Sequence, residues 1–145
     1  MRQRTHVASV LVIAVDPNIE ALMGQLLTHA GHRPSYDATL GAAGEAIRRI
    51  RPDVVLLDTD LPRSVVRACR DAAAENDAKV ILTSSSSSQS ELADEARRAN
   101  CPYFALPGGP VGLRDLIRRA LAVRDNGAHV DSKVMPGRSE FRPDP

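Results

Sequence analysis

The sequence is poor in aromatic side chains and cysteine, and its charges almost cancel. Aromatics make up 3% of its 145 residues and Trp is absent, so base-stacking surfaces for single-stranded nucleic acid are not expected. Lys and Arg number 19 against 18 Asp and Glu, and the net charge of +1 gives no field that would recruit nucleic acid or an anionic membrane. Cys69 and Cys101 lack the spacing of a zinc site or a disulfide framework, and no apolar run approaches the ~20 residues of a membrane span. We therefore expect a cytoplasmic protein of one domain, without nucleic-acid or membrane partners.

Short apolar runs alternate with amphipathic stretches along the chain. The runs predict strands over residues 8–15, 32–38, 53–57, 78–83 and 102–106, of which 32–38 is the least apolar and is expected at a sheet edge. Helical patterns are expected over residues 17–30, from Thr39 or Gly41 to 50, over 63–76 and 91–100, and after Pro110. This order predicts an α/β, flavodoxin-like, doubly wound five-stranded parallel sheet, strand order 2-1-3-4-5, with five helices.

The domain is expected to cover residues 8–123. Residues 1–7 are then an N-terminal extension, and residues 124–145, which carry Gly, Pro and charge without periodicity, are expected to be a disordered tail. In the first helix Asp16 is expected to cap the N-terminus and Leu22 to face the core. Cys69 is expected to be core packing, since a free cysteine behaves as a small buried hydrophobe.

The chain is organised around RPDVVLLDTDLP, residues 51–62. Its apolar run has no alternation, as expected of a strand buried on both faces, and Asp58 follows directly. In open parallel sheets the ligand crevice lies outside the carboxyl ends of the strands, which places Asp58 where a functional carboxylate is expected. Asp58 could instead cap the turn before the next helix.

These residues resemble the receiver domain of bacterial two-component response regulators, over roughly residues 8–123. The resemblance makes Asp58 the acceptor of a phosphoryl group, Thr83 or Ser84 the hydroxyl that contacts it, and Tyr103 the switch aromatic. It also implies a histidine kinase or a downstream effector as protein partner, and no independent enzymatic activity.

Two positions depart from that family's pattern. Ala14 and Val15 stand where the family has an acidic pair that holds Mg²⁺, and Leu106 stands where it has a lysine. Phosphoryl transfer depends on a metal ion and fixed cations that neutralise negative charge. Because the acidic pair is missing, Asp16, Asp58 and Asp60 would hold Mg²⁺ only weakly. A one-residue slip in the first strand would bring Asp16 into the acidic pair.

Three functions follow from this comparison. The first is an atypical stand-alone receiver, a pseudo-receiver, that signals by protein contact through a face that in the family also forms homodimers; this face would carry Arg97, Arg98, Arg114, Arg118 and Arg119. These arginines would otherwise be an ordinary solvated surface. The second is a conventional phospho-acceptor that uses Asp58. The third is a flavodoxin-like small-molecule binder whose serine run, residues 84–88, cradles a phosphate.

Overall fold

A computed structural model of the protein describes residues 7–36, 42–84, 88–105 and 108–130, with side chains of the last helix described to residue 122. Strands and helices alternate as the sequence predicts as far as α4, which is followed by α5. The elements are β1 (Ser9–Ile13), α1 (Pro17–His29), β2 (Arg33–Tyr36), α2 (Ala43–Ile50), β3 (Val54–Asp58), α3 (Arg63–Glu75), β4 (Lys79–Thr83), α4 (Gln89–Ala99) and α5 (Pro110–Val130). Within these ranges, no helix has both the length and the apolar content that crossing a bilayer requires.

The strands form one parallel sheet in the order β2-β1-β3-β4. The polar strand β2 lies at an edge, as its low hydrophobicity predicts, and β3 lies inside with all five residues buried. In the register, Asp58 pairs with Thr83, so the carboxyl ends of β3 and β4 lie side by side.

The expected fifth strand is reduced to a single bridge. Tyr103 pairs in parallel with Leu82, which places residues 102–105 next to β4, where the order 2-1-3-4-5 requires them. Leu82 N–H donates to Pro102 C=O at 3.0 Å, and Phe104 N–H donates to Leu82 C=O at 2.8 Å. The preceding rung would need an N–H on residue 102, which proline lacks, so the ladder stops there.

Two apolar layers cover the sheet. Helices α2, α3 and α4 pack on one face with Leu11, Val55 and Leu57, and α1 and α5 pack on the other with Val10 and Leu56. Cys69 is fully buried in the first layer, as predicted, and neither Cys69 nor Cys101 forms a disulfide within the described residues. The predicted inward position of Leu22 is wrong: its side chain is 39% exposed, because Met23 and Leu27 fill the contact between α1 and the sheet.

Local capping explains most helix ends. The Asp16 carboxylate accepts from Asn18 N–H at 2.8 Å and caps α1 as predicted. Helix α4 begins two residues earlier than expected, because Ser88 and Glu91 form a capping box. Helix α5 continues to Val130, past the expected domain end at 123. Thr39 and Gly41, the expected start of the second helix, and residues 1–6 and 131–145 of the two expected terminal segments lie outside the described residues.

Candidate functional site at the carboxyl end of the sheet

Asp58 is the last residue of β3 and is only 1% exposed. The strand runs between β1 and β4, so its apolar residues are covered by helices on both faces and deliver the carboxylate to the end of the sheet. α/β folds bind ligands at the carboxyl ends of their central parallel strands, which is where Asp58 lies.

Backbone donors engage both oxygens of the Asp58 carboxylate. Val15 N–H donates to Oδ2 at 3.2 Å, and Asp60 N–H donates to Oδ1 at 2.8 Å. Burial raises the pKa of Asp58 above its ordinary value; the two N–H groups act in the opposite direction, and the nearby Asp60 carboxylate raises the pKa further. Folding therefore disfavours the charged form of Asp58, despite its two hydrogen bonds.

The hydroxyls predicted to contact a phosphoryl group are both buried beside Asp58. Ser84 Oγ donates to Asp60 Oδ1 at 3.1 Å, which links the end of β4 to the loop after β3. Thr83 Oγ1 donates to Phe104 C=O at 2.9 Å and so ties β4 to the fifth segment. The Ser84 hydroxyl therefore points towards the Asp60 carboxylate, whereas the Thr83 hydroxyl points towards Phe104 in residues 102–105.

The end of β1 contributes backbone to the site and no carboxylate. Ala14 is buried, Val15 is 48% exposed, and only the Val15 N–H reaches Asp58. The Asp16 carboxylate caps α1, and the described residues contain no group of three or more His, Cys, Asp and Glu side chains that could hold a metal ion. Within the described residues Asp16, Asp58 and Asp60 do not form such a group, and weak Mg²⁺ binding by these carboxylates stays a prediction.

Tyr103, the predicted switch aromatic, is half-buried and packs against the apolar layer of α2, α3 and α4. Its bridge to Leu82 holds it beside β4. Leu106, which stands at the expected lysine position, lies outside the described residues, as do residues 85–87 of the serine run.

All five arginines of the predicted interaction face are exposed. Three of them pair with an acid three residues earlier in the same helix, Arg97 with Asp94, Arg98 with Glu95 and Arg118 with Asp115. Such exposed pairs are worth roughly 0–1 kcal/mol each, so these contacts leave the arginines accessible to a partner.

Two participants in the site escape prediction from the sequence. The Val15 N–H is a backbone group, and no residue type identifies its partner 43 positions away. The pairing of Ser84 with Asp60 joins residues 24 positions apart, and the only sequence signal for it is that each follows the end of a predicted strand.

No protein-family model and no curated protein sequence matches the chain. Solved structures do match it. The signal receiver domain of a modulated diguanylate cyclase from Desulfovibrio desulfuricans G20 is 22% identical with a TM-score of 0.70, over 83% of this chain and 98% of that one. The BeF3-activated receiver domain of Klebsiella pneumoniae RstA is 24% identical with a TM-score of 0.64, over 78% and 97%. Vibrio cholerae CheY4, a chemotaxis protein, is 19% identical with a TM-score of 0.62, over 79% and 99%. The chain therefore has the flavodoxin-like α/β fold of response-regulator receiver domains.

Proposed function

We propose that this chain is an atypical receiver module of a two-component signalling system, and that it acts by protein contact without requiring phosphorylation. The observation that carries the proposal is the end of β1: Ala14 and Val15 provide no carboxylate, and a backbone N–H of Val15 occupies Asp58 Oδ2 instead. An acidic group that helps to hold a metal is replaced by a neutral donor that fixes the carboxylate.

Electrostatics supports this reading. A transferred phosphoryl group spreads negative charge over its equatorial oxygens, and catalysis consists mostly of positioning and neutralising that charge. Among the described residues near Asp58 we find Asp60, whose carboxylate adds negative charge, and the neutral hydroxyls of Thr83 and Ser84. Leu106 adds no cation at the expected lysine position. The protein thus offers the acceptor and its hydroxyl neighbours without the matching positive charge.

The proposed partner is a protein, either a histidine kinase or a downstream effector, and the proposed contact surface is the exposed arginine face of α4 and α5, through which the chain could also form a homodimer. The proposed compartment is the cytoplasm, where the thiols of Cys69 and Cys101 would stay reduced. No independent enzymatic activity is proposed.

The test is incubation with acetyl phosphate, with Mg²⁺ or with a chelator, read by intact mass on wild type and Asp58→Asn. The proposal expects no mass gain on either protein while circular dichroism shows both folded. A Mg²⁺-dependent gain of one phosphoryl group on the wild type alone would overturn it.

That outcome would establish the second candidate, a conventional phospho-acceptor. The observation that favours this candidate is the pairing of Asp58 with Thr83 in the sheet, with Ser84 next in sequence. The RstA receiver, of the same fold, is described as BeF3-activated, and a beryllofluoride complex on Asp58 here would likewise support an acceptor role.

A contact-based module should keep its partners when the acceptor carboxylate is removed. We expect Asp58→Ala, used as bait beside the wild type, to retain the same proteins in quantitative mass spectrometry. Arg118→Glu serves as the comparison variant, because it reverses a charge on the proposed face. Loss of partners from folded Asp58→Ala, with Arg118→Glu unaffected, would contradict the contact mechanism.

A further inference from the structure

A groove of about 850 Å³ opens at the amino end of β4, at the opposite end of that strand from Thr83 and the Asp58 site. Helix α3 forms one wall and α5 the other, and the segment after α4 crosses between them. Its floor is apolar and includes Ala78, Val80 and Leu116. Both helical layers therefore contribute to one cleft along the outer edge of the sheet.

The missing rung beside Pro102 leaves this edge incompletely paired. Lys79 N–H donates to Asp53 C=O, so the backbone polar groups of Lys79 point towards β3. Those of Leu82 point the other way and bond residues 102 and 104. Alternate residues of a parallel strand address the same neighbour, so the N–H and C=O of half-buried Val80 also point outward. Within the described residues neither group has a backbone partner on that side. Both groups are thus unpaired, but they lie beside residues 100–102 of the same chain, so this end of β4 is not free to accept a further strand.

The walls of the groove are basic. Arg67 and Arg70 on α3, Lys79 on β4 and Arg119 on α5 line it, against one acid, Asp71. Arg67, Lys79 and Arg119 form no ion pair with an acid in the described ranges, and Arg70 donates to Ala99 C=O at 3.2 Å. By contrast, Arg48 on α2 is paired with both Glu45 and Glu75. The groove therefore presents positive charge that the protein itself does not neutralise.

The basic surface is longer than the groove. A second depression of about 370 Å³ shares Arg67 and Arg70 and also has Arg63, Thr59 and one acid, Glu95, in its lining. Arg63, Arg67 and Arg70 follow one another at helical spacing and lie on one side of α3. A linear track with apolar floor and spaced cations suits an elongated ligand better than a compact one.

We propose that this groove binds an extended acidic peptide segment of a partner protein. Carboxylates of the segment pair with Arg67, Lys79 and Arg119, and its apolar side chains rest on the groove residues Val80 and Leu116. Complementary charge between the acidic segment and the basic walls steers association and favours this partner over a basic one. The inference goes beyond the signalling role proposed above and does not depend on the chemistry of Asp58.

The test uses the full chain and a fluorescein-labelled twelve-residue peptide of alternating Glu and Val, followed by fluorescence anisotropy. We expect saturable binding, weakened about tenfold or more by Arg67→Glu or Lys79→Glu, because each places a like charge opposite the ligand. Arg49→Glu, an exposed arginine on α2, is the matched control and should change the affinity less than about twofold. Arg67→Gln removes the charge without reversing it and should give an intermediate loss of affinity. This variant keeps the test decisive if either Glu variant fails to fold.

Three further probes decide the nature of the ligand. A peptide of alternating Lys and Val should not bind, because its charges repel those of Arg67, Lys79 and Arg119. Asp58→Asn should bind the peptide as wild type does, which separates this test from that of the acceptor site. The proposal is overturned by the absence of saturable binding, by equal losses in Arg49→Glu and Arg67→Glu, or by equally tight binding of the lysine peptide or of a single-stranded oligonucleotide.

Discussion

The two ends of β4 differ in how completely their polar groups are paired. At the carboxyl end, Thr83 C=O accepts from Thr59 N–H at 2.8 Å, and the hydroxyls of Thr83 and Ser84 both have partners. At the amino end, Val80 has no backbone partner on its outer side within the described residues, and the cations beside it face an open groove. One strand thus joins a fully paired polar site to an incompletely paired edge, and Pro102, which has no N–H to donate to Val80 C=O, accounts for the missing rung.

The largest test of this contrast compares Leu82→Ala with Val80→Ala. Leu82 is 1% exposed and fully packed, so its truncation should lower the free energy of unfolding by about 2–5 kcal/mol. Val80 borders the groove and is only half-buried, so its truncation should cost about 1 kcal/mol. Urea unfolding of both variants measures the difference. Equal losses would mean that the amino end of the edge is as well covered as the rest of β4.

The closed end should respond to pH through Asp58. Burial raises the pKa of Asp58, so this group stabilises the fold fully below the unfolded-state value near 3.8, and the contribution is lost as pH rises through the folded-state pKa. Wild type should therefore lose stability relative to Asp58→Asn as pH rises from below 3.8. Chemical denaturation of both proteins across the acid range gives the sign, and a wild-type advantage that grows with pH would contradict it.

Ser84→Ala tests the link between β4 and the loop after β3. The hydrogen bond to Asp60 is partly buried, so its loss should cost about 1 kcal/mol. Ser90→Ala is the matched control: this serine is exposed in the first turn of α4, and its removal should change stability by less than about 0.5 kcal/mol. Thermal or urea unfolding separates the two. If the Ser84 variant were as stable as the control, the Ser84–Asp60 contact would not contribute to closing this end.

The smallest effect on stability, and the sharpest test of the open edge, is expected from Pro102→Ala. The new N–H on residue 102 faces Val80 C=O, so it should form the missing rung and exchange slowly with solvent. The gain of about 1 kcal/mol from that bond is largely offset by about 0.4–1 kcal/mol, because the unfolded chain regains freedom that proline removes. Amide hydrogen exchange at residue 102 is the measurement. Rapid exchange there would show that something other than the proline keeps the edge open.

Local patterns in the sequence predict the strands β1 to β4 and the helices α1 to α5. Strand β3 follows from an apolar run ended by Asp58, and the start of α1 follows from Asp16 followed by Pro17. Cys69 lies in the core as its helical position indicates. These features depend on residues that are close together in the sequence, within one turn of a helix or a few residues of a strand. A periodic pattern describes interactions over that short separation.

Within the described residues the predicted fifth strand is a single bridge beside β4, for a reason visible in the sequence. Residues 102–106 are apolar enough for a strand, but the run begins with Pro102, and a proline can remove a rung from the ladder. The predicted burial of Leu22 was wrong for a different reason. The apolar stripe on α1 is wider than the part of the helix that contacts the sheet, and Met23 and Leu27 already fill that contact. A one-dimensional pattern gives the apolar face of a helix and not the width of the surface it meets.

The sequence by itself determined the alternation of strands and helices, the parallel sheet and the position of Asp58 at the carboxyl end of β3. Tertiary structure decided that the Val15 N–H bonds Asp58, that Ser84 bonds Asp60, and that Arg67 and Arg119 line one groove. The physical reason is range: apolar periodicity and capping act between near neighbours, whereas these contacts join segments that only the packing of helices on both faces of the sheet brings together.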